Sequence, residues 1–398
     1  MSVKTVAERA LDQGQGILRL APTWVPRTVC VPGRRLKLHP DDYYALGGER
    51  GGLDERWFAS CTNTDNGPLT GEHEGLSFVV VEEGERTDRI LLRDAVAELA
   101  AHLIGERIWR EHAGFPVFAK LFDNMGPIPF HIHQQEKHAA RVGLASKPEA
   151  YFFPAQVNNH PGNFPYTFFG FAPGTTRAQV REALEHFTSS DNHITALSTA
   201  YQLELGTAWN VPAGVLHGPG TLCTYEPQKA SDVFALYQSM VDGQVTPVTS
   251  LWHNVPEEEI GNFDYLLDML DWEGNLDPDF REKSLMRPRL AQGSPEEGFV
   301  ENWICYLSDE FSASELTVLP GRTVTVRNDG AYGLILLQGH GRMGAWDVDT
   351  PTLIRFGELT SDEFFVSESA ARAGVKIENR SSTEPLVMLK HFGPGVLR

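Results

Sequence analysis

Basic residues are scarce in this chain: 34 Lys plus Arg stand against 53 Asp plus Glu in 398 residues, a net charge of −19. A polyanion is repelled by such a surface rather than gathered, which argues against nucleic-acid binding. A phosphorylated small molecule is slightly disfavoured too, unless local Lys or Arg groups offset the field. Cysteine is equally sparse. Cys30, Cys61, Cys223 and Cys305 lie far apart and form no CxxC pair, which excludes a zinc ribbon or a dithiol redox motif and fits reduced thiols. No run of about 18 apolar residues could span a bilayer, and no basic, apolar leader precedes the first segment. The expectation is a cytoplasmic protein with neither a membrane nor a nucleic-acid partner. The oligomeric state leaves no mark in the sequence.

What is present is the composition of a folded chain, 41% hydrophobic and 10% aromatic, at a length that suits two domains. The first hundred residues break into short segments at Gly, Pro and Asp, the texture of strands and loops. Residues 92–111 then place Val96, Leu99, Leu103 and Ile104 at helical spacing, which predicts one amphipathic helix with its stripe in the core. Strand-like runs follow: FPVFAKLF, PFHIH, AYFFPAQV, YTFFGFA, TAYQLELG and TAWNVPAG. One helix interrupts them, starting at an N-cap on Thr175 or Thr176 and running to Phe187. The pattern reads as a β-barrel or sandwich with inserted helices.

Residues 256–272 read as helix, and the Pro- and Gly-containing stretch 286–298 reads as a linker, with a boundary near residue 290. Alternating short strands with Gly turns resume beyond it. The expected division is an N-terminal unit over residues 1–250, a helical segment and linker over 251–290, and a mostly β C-terminal unit over 291–398. No short-period repeat or low-complexity tract is present.

The chemistry concentrates in FHIHQQEKHAARVGLASKPEAY, residues 130–151. If PFHIH is a strand, His131 and His133 lie two residues apart and project from one face, as ligands of one metal do. Lys147, Glu149 and Tyr151 share a face in the same way, and FHIH and KPEAY read as neighbouring strands lining one cavity. His217 follows the turn in WNVPAGVLHGPG. Three imidazole nitrogens and a carboxylate suit Zn²⁺, Mn²⁺ or Fe²⁺ better than Mg²⁺ or a thiolate-seeking ion. Glu136, Lys137 and His138 are expected on a solvated turn. His160, His186 and His193 fall in loops or at a helix end, where an exposed or hydrogen-bonded role is the ordinary one.

Several separated motifs carry a likeness. ERWFAS with Glu55, Trp57 and Ser60, FPVFAKLFDNMGPIPFHIH, KPEAYFF, GFAPGTTRAQV, VPAGVLHGPG and TYEPQKASDVFALYQ occur in an order that resembles the type I mannose-6-phosphate isomerases of the cupin superfamily. The resemblance covers about the first 240 residues. It implies a mainly β fold of two cupin-like (double-stranded β-helix) domains with inserted helices. It also implies one divalent metal, with Zn²⁺ ahead of Mn²⁺ and Fe²⁺, held by His131, His133, Glu149 and His217, with Lys147 as an acid or base.

Two departures stand out: the family usually has glutamine where His131 stands, and an arginine shortly after the SD pair, where this chain reads SDVFALYQ. In the C-terminal part GLILLQGHGRM resembles a cupin strand and turn, but no HxH occurs there and His340 and His391 stand alone. A metal-free domain is expected.

The implied reaction is aldose–ketose isomerisation of a sugar or sugar phosphate, in which a proton moves between C1 and C2 through an enediol(ate). Lys147 is the candidate acid or base, with Glu226 and Tyr151 as further candidates for proton handling or substrate contact. Two other readings fit the same ligand set: an iron-dependent cupin oxygenase, and a cupin that binds a sugar without turnover.

Overall fold

The computed structural model describes residues 2–84, 86–158 and 165–397. It is built mainly of antiparallel sheets, as a cupin-like fold is, and four of them stack in layers. The order is set by strands with buried residues on both faces. In Val117–Phe122, Glu149–Phe152 and Thr224–Lys229 nearly every residue is buried, so alternate side chains feed two different cores.

The layer at the centre of the site is a seven-stranded sheet running Leu285–Met286, Ala208–Val211, Glu149–Phe152, Thr224–Lys229, Val117–Phe122, Gly52–Phe58 and Thr23–Arg27. Against its inner face lies a five-stranded sheet of Ser198–Gln202, Tyr166–Phe171, His217–Gly218, His131–Ile132 and Ala235–Leu236. Phe122, Tyr151, Phe169, Trp209 and Val215 pack between the two. FHIH and KPEAY are therefore not neighbouring strands of one sheet. They sit in facing sheets, and their shared cavity is the space between the layers.

The outer face of the five-stranded sheet is covered by helices Arg177–Glu185 and Phe263–Asp268. The first begins where expected: Thr176 accepts from the Gln179 amide while the Gln179 side chain accepts from the Thr176 amide. The outer face of the seven-stranded sheet packs against a nine-stranded sheet, with Ala119, Phe152 and Tyr225 meeting Ile304, Ala313, Ile335 and Leu389. Tyr332, Leu334 and Leu336, on the other face of the nine-stranded sheet, pack towards a four-stranded sheet that carries Val324, Met343, Val348 and Ile377.

The nine-stranded sheet joins the two ends of the chain. Its C-terminal strands accept Ile17–Ala21, which pairs with Glu363–Val366 on one side and Phe78–Glu83 on the other. Residues 286–298, read above as a linker, form its edge strand Arg289–Ser294, paired with Phe299–Cys305.

Other expectations change as well. Residues 92–111 are three short helices, Leu92–Leu99, Ala101–Ile104 and Glu106–His112, because the backbone turns to positive φ at Ala100 and Gly105. The stripe residues are still buried. Residues 256–272 break at Gly261, φ 89°, leaving a 3₁₀ turn Glu257–Glu259 and the helix Phe263–Asp268. An N-terminal helix, Val3–Gln13, capped by the Ser2 side chain, had no expectation at all.

One buried ion cluster ties the layers together. Arg56 projects from the outer face of strand Gly52–Phe58 and grips both oxygens of Asp362, at 2.9 and 2.8 Å, with Glu363 3.2 Å away. One guanidinium cannot neutralise two carboxylates fully, and burial pushes the Glu363 carboxyl up to about 8 despite Arg56. Between about pH 4.5 and about pH 8 the native chain then holds a proton that the unfolded chain releases, so stability falls as pH rises through that window. Glu363→Gln should flatten this slope. Urea midpoints from about pH 5 to about pH 8 test it, and identical slopes for the variant and the parent chain would refute the assignment.

Candidate metal centre and active site

The register of the seven-stranded sheet puts the polar groups on one face. Glu226 pairs with Lys120, Lys120 with Trp57, and Gln228 with Glu149, so these side chains point inward together with their i±2 neighbours Tyr151 and Glu55. From the facing sheet, His217 and His131 are direct cross-strand partners with ring centroids 4.1 Å apart. His133 follows just past the strand end, 5.1 Å from His131 and 5.0 Å from His217. A ligand nitrogen from each of the three rings lies within 4.8 Å of the others, and among the described residues this is the only such cluster of three or more.

The turn that delivers His217 is Pro212–Ala213–Gly214–Val215, closed by the Val215 amide donating to Pro212 O. Gly214, at the third position, has φ 88°, the conformation a type II turn requires there. Its own amide donates to His133 O at 2.8 Å, which fastens the turn to the strand bearing the other two histidines.

Each ring is held in the same tautomer. Nδ1 of His131 donates to Pro129 O at 2.6 Å, Nδ1 of His133 to Val233 O at 2.7 Å, and Nδ1 of His217 to Val215 O at 2.9 Å. A carbonyl can only accept, so Nδ1 carries the proton and Nε2 presents its lone pair to the cavity. Burial, aided by the neighbouring rings, holds His131 well below the usual histidine range, and burial holds His133 down to about 4. Both are neutral, as ligands must be.

Glu149 completes the set from across the cavity. Its Oε2 lies 3.0 Å from His133 Nε2 and its Oε1 3.2 Å from His217 Nε2. Burial alone would raise this carboxyl, but the Lys147 ammonium beside it holds it well below the usual range. Both of its oxygens and His217 Nε2 are buried without a well-aligned hydrogen bond. Lone pairs facing lone pairs at this distance are satisfied by a cation between them. The donor set thus fits a divalent ion that favours nitrogen with one carboxylate.

Lys147 Nζ lies 3.0 Å from Glu149 Oε2, 3.2 Å from His133 Nε2 and 3.5 Å from Glu226 Oε1. Burial first, and then the nearby Glu149 charge, push Glu226 up to about 8, so it carries a proton at neutral pH. Tyr151 is pushed up by burial and by Glu149, and stays a neutral hydroxyl. All the sequence-named candidates, His131, His133, Lys147, Glu149, Tyr151, His217 and Glu226, therefore meet around one cavity of about 740 Å³, counting its open mouth.

Four charged residues of the cavity, Arg27, Glu55, Lys120 and Asp232, were missed as site residues. Lys120 lies 3.0 Å from Glu55 and 3.3 Å from Glu226, and Arg27 binds Asp232 through both guanidinium ends. The signal for Lys120 was a lone lysine inside the apolar run VFAKLF, a position that a buried strand leaves to a functional or paired charge. Glu55 entered only through the ERWFAS likeness. Its carboxylate accepts from Trp57 Nε1 at 2.7 Å, which is why the two occur at i and i+2.

The remaining histidines stand apart from the site. His138 is not on a solvated turn: its short helix, Glu136–Ala139, docks so that the ring is buried against Tyr265 OH and Asp268 O, while Glu136 and Lys137 are exposed. His186 and His193 are exposed, and His160 lies outside the described residues. His340 is exposed, and His391 is buried 3.1 Å from Tyr225 OH.

His133→Ala and His217→Ala should each weaken divalent-metal binding about tenfold or more, measured by elemental analysis after dialysis of the metal-reconstituted chain. Full retention in both variants would remove the ligand assignment.

No protein-family model and no curated protein matches the chain. Solved structures do match it along nearly its whole length. Mannose 6-phosphate isomerase from Bacillus subtilis aligns at 14% identity and TM-score 0.59, over 95% of this chain and 99% of that one. A point variant of phosphomannose isomerase from Salmonella typhimurium aligns at 10% identity and TM-score 0.60, over 95% and 100%. A zinc-bound mannose 6-phosphate isomerase aligns at 11% identity and TM-score 0.59, over 95% and 100%. Among the described residues, no helix is long and apolar enough to cross a membrane. The chain has the fold of the mannose-6-phosphate isomerases.

Proposed function

We propose that this protein is a metal-dependent aldose–ketose isomerase, with an N-terminal catalytic unit over residues 1–250 and a metal-free C-terminal unit over 291–398 that buttresses it. The observation that carries this reading is the meeting of three Nε2 lone pairs and the Glu149 carboxylate beside Lys147 and a protonated Glu226. Likeness of fold to zinc-containing sugar-phosphate isomerases supports it, and makes Zn²⁺ the first ion to try, ahead of Mn²⁺ and Fe²⁺.

His131, His133, Glu149 and His217 would hold the ion, which when bound supplies Lewis acidity to the carbonyl and hydroxyl oxygens of the sugar. The chain's own groups then handle the proton. The carbon acid next to a carbonyl is weak, so the base must be positioned within reach of C1 and C2. Lys147 is held over the site by Glu149 and Glu226, whose carboxyl oxygens lie 3.0 and 3.5 Å from its Nζ. Glu226 can return a proton to an oxygen, because its carboxyl stays protonated at neutral pH. Tyr151, neutral and beside His217, can donate a hydrogen bond to a sugar hydroxyl. The net reaction consumes no oxidant, which separates it from an oxygenase built on the same ligands.

Anaerobic incubation of the metal-reconstituted chain with an aldose panel should yield the matching ketoses without O₂ uptake. Lys147→Ala should lower kcat by roughly 10²–10⁴-fold while metal content is retained. Turnover that requires O₂, or an unchanged kcat in that variant, would defeat the proposal.

A further inference from the structure

We propose that the substrate of this site is an unphosphorylated sugar, a reading that rests on the isomerase assignment. A phosphate ester carries close to two negative charges and needs cations that are free to meet them. Among the described residues lining the cavity the cations are Arg27, Lys120 and Lys147, with the histidines committed to backbone carbonyls through Nδ1.

None of the three cations is available. Arg27 gives both terminal nitrogens to Asp232, at 3.1 to 3.3 Å, and also lies 3.3 Å from Glu55. Lys120 sits between Glu55 at 3.0 Å and Glu226 at 3.3 Å. Lys147 lies 3.0 Å from Glu149. An entering phosphate would have to break a buried pair and strand its carboxylate, which is the most expensive arrangement of the three charges.

The rest of the described lining is uncharged. Ile128, Pro219, Phe234 and Leu236 offer apolar surface to the C–H face of a sugar ring, and Thr28 and Ser250 bring neutral hydroxyls. Asn66 is already occupied by Arg27, Pro26 O and Glu74. The metal ligands do not supply the missing charge, because the carbons that react there are C1 and C2, at the far end of a hexose from a 6-phosphate. Neutral hydroxyls can share hydrogen bonds with paired ions without separating them, and so suit this cavity.

The test compares each parent sugar with its own phosphate ester, on the full metal-reconstituted chain, using mannose, glucose, fructose and their 6-phosphates. Affinity by calorimetry and anaerobic kcat/KM are both read. The parent sugar should exceed its ester at least tenfold in both measures. An ester bound or turned over as well as its parent sugar overturns the proposal while leaving the isomerase reading intact. If neither class turns over, the isomerase reading falls and the affinity ratio alone decides this one; if neither class binds, both fall. Asp232→Asn should release Arg27 and shift the ester-to-sugar affinity ratio at least tenfold towards the ester, and an unchanged ratio would show that the pairing does not govern selection.

Discussion

A line of alternating charges crosses the inner face of the seven-stranded sheet: Asp232, Arg27, Glu55, Lys120, Glu226, Lys147, Glu149. Nearly all are buried, so each charge survives only because its neighbour is opposite in sign and close. The line holds four carboxyls and three cations, one negative charge too many for a dry wall. Glu226 absorbs the excess by keeping its proton, and it is placed to do so because Glu149 beside it stays ionised against Lys147. A protonated carboxyl beside Lys147 is a consequence of the count. Such a network is rigid: moving one member exposes the next, and the side chains are held in place before any substrate arrives.

The same strands carry this ionic face and an apolar one. Period-two alternation sends Glu226 inward and Tyr225 outward, Lys120 inward and Ala119 and Leu121 outward. The outward set has no water to face because the nine-stranded sheet covers it. Arg56 reaches through that layer to Asp362, and Tyr225 OH meets His391. The C-terminal strands thereby fix the register of the strands that present the site, and Ile17–Ala21, inserted beside Glu363–Val366, ties the beginning of the chain to its end. A one-residue slip in Val117–Phe122 would turn Lys120 into the apolar core and Leu121 into the cavity.

The candidate ligands and candidate proton carriers were legible in sequence because they come as i, i+2 pairs. HIH, KPE and EAY each declare a face once a strand is assumed, and the ordered motifs supplied His217 and Glu226. The pairing of faces was not legible. HIH and KPEAY are separated by only 13 residues, yet they belong to opposing sheets, joined through the helical turns Glu136–Ala139 and Ala140–Val142. Helix breaks at Ala100 and Gly105 escaped notice because alanine is the best helix former and a lone glycine is tolerated in a helix. His138 looked solvated because its partners, Tyr265 and Asp268, lie some 130 positions away in sequence. Lys120 and Arg27 belong to a network visible only when three strands are laid side by side.

The departure at His131 follows from the same charge count. An imidazole there, like the glutamine that the resemblance places at this position, is uncharged, and His131 is kept neutral by burial and by the two rings beside it. Three imidazole nitrogens and one carboxylate would offer a bound ion a single negative charge. The exchange therefore leaves the balance of the wall untouched, and Glu149 remains the group that must be shared with Lys147. What changes is the softness of one donor, which favours ions that prefer nitrogen to oxygen. Cross-strand pairing of His131 with His217 makes this substitution sterically consistent, since two flat rings 4.1 Å apart at 64° share the sheet face without displacing either backbone. In the proposed isomerase the histidine would alter the choice of ion more readily than the proton handling proposed for Lys147 and Glu226, whose setting lies on the opposite sheet.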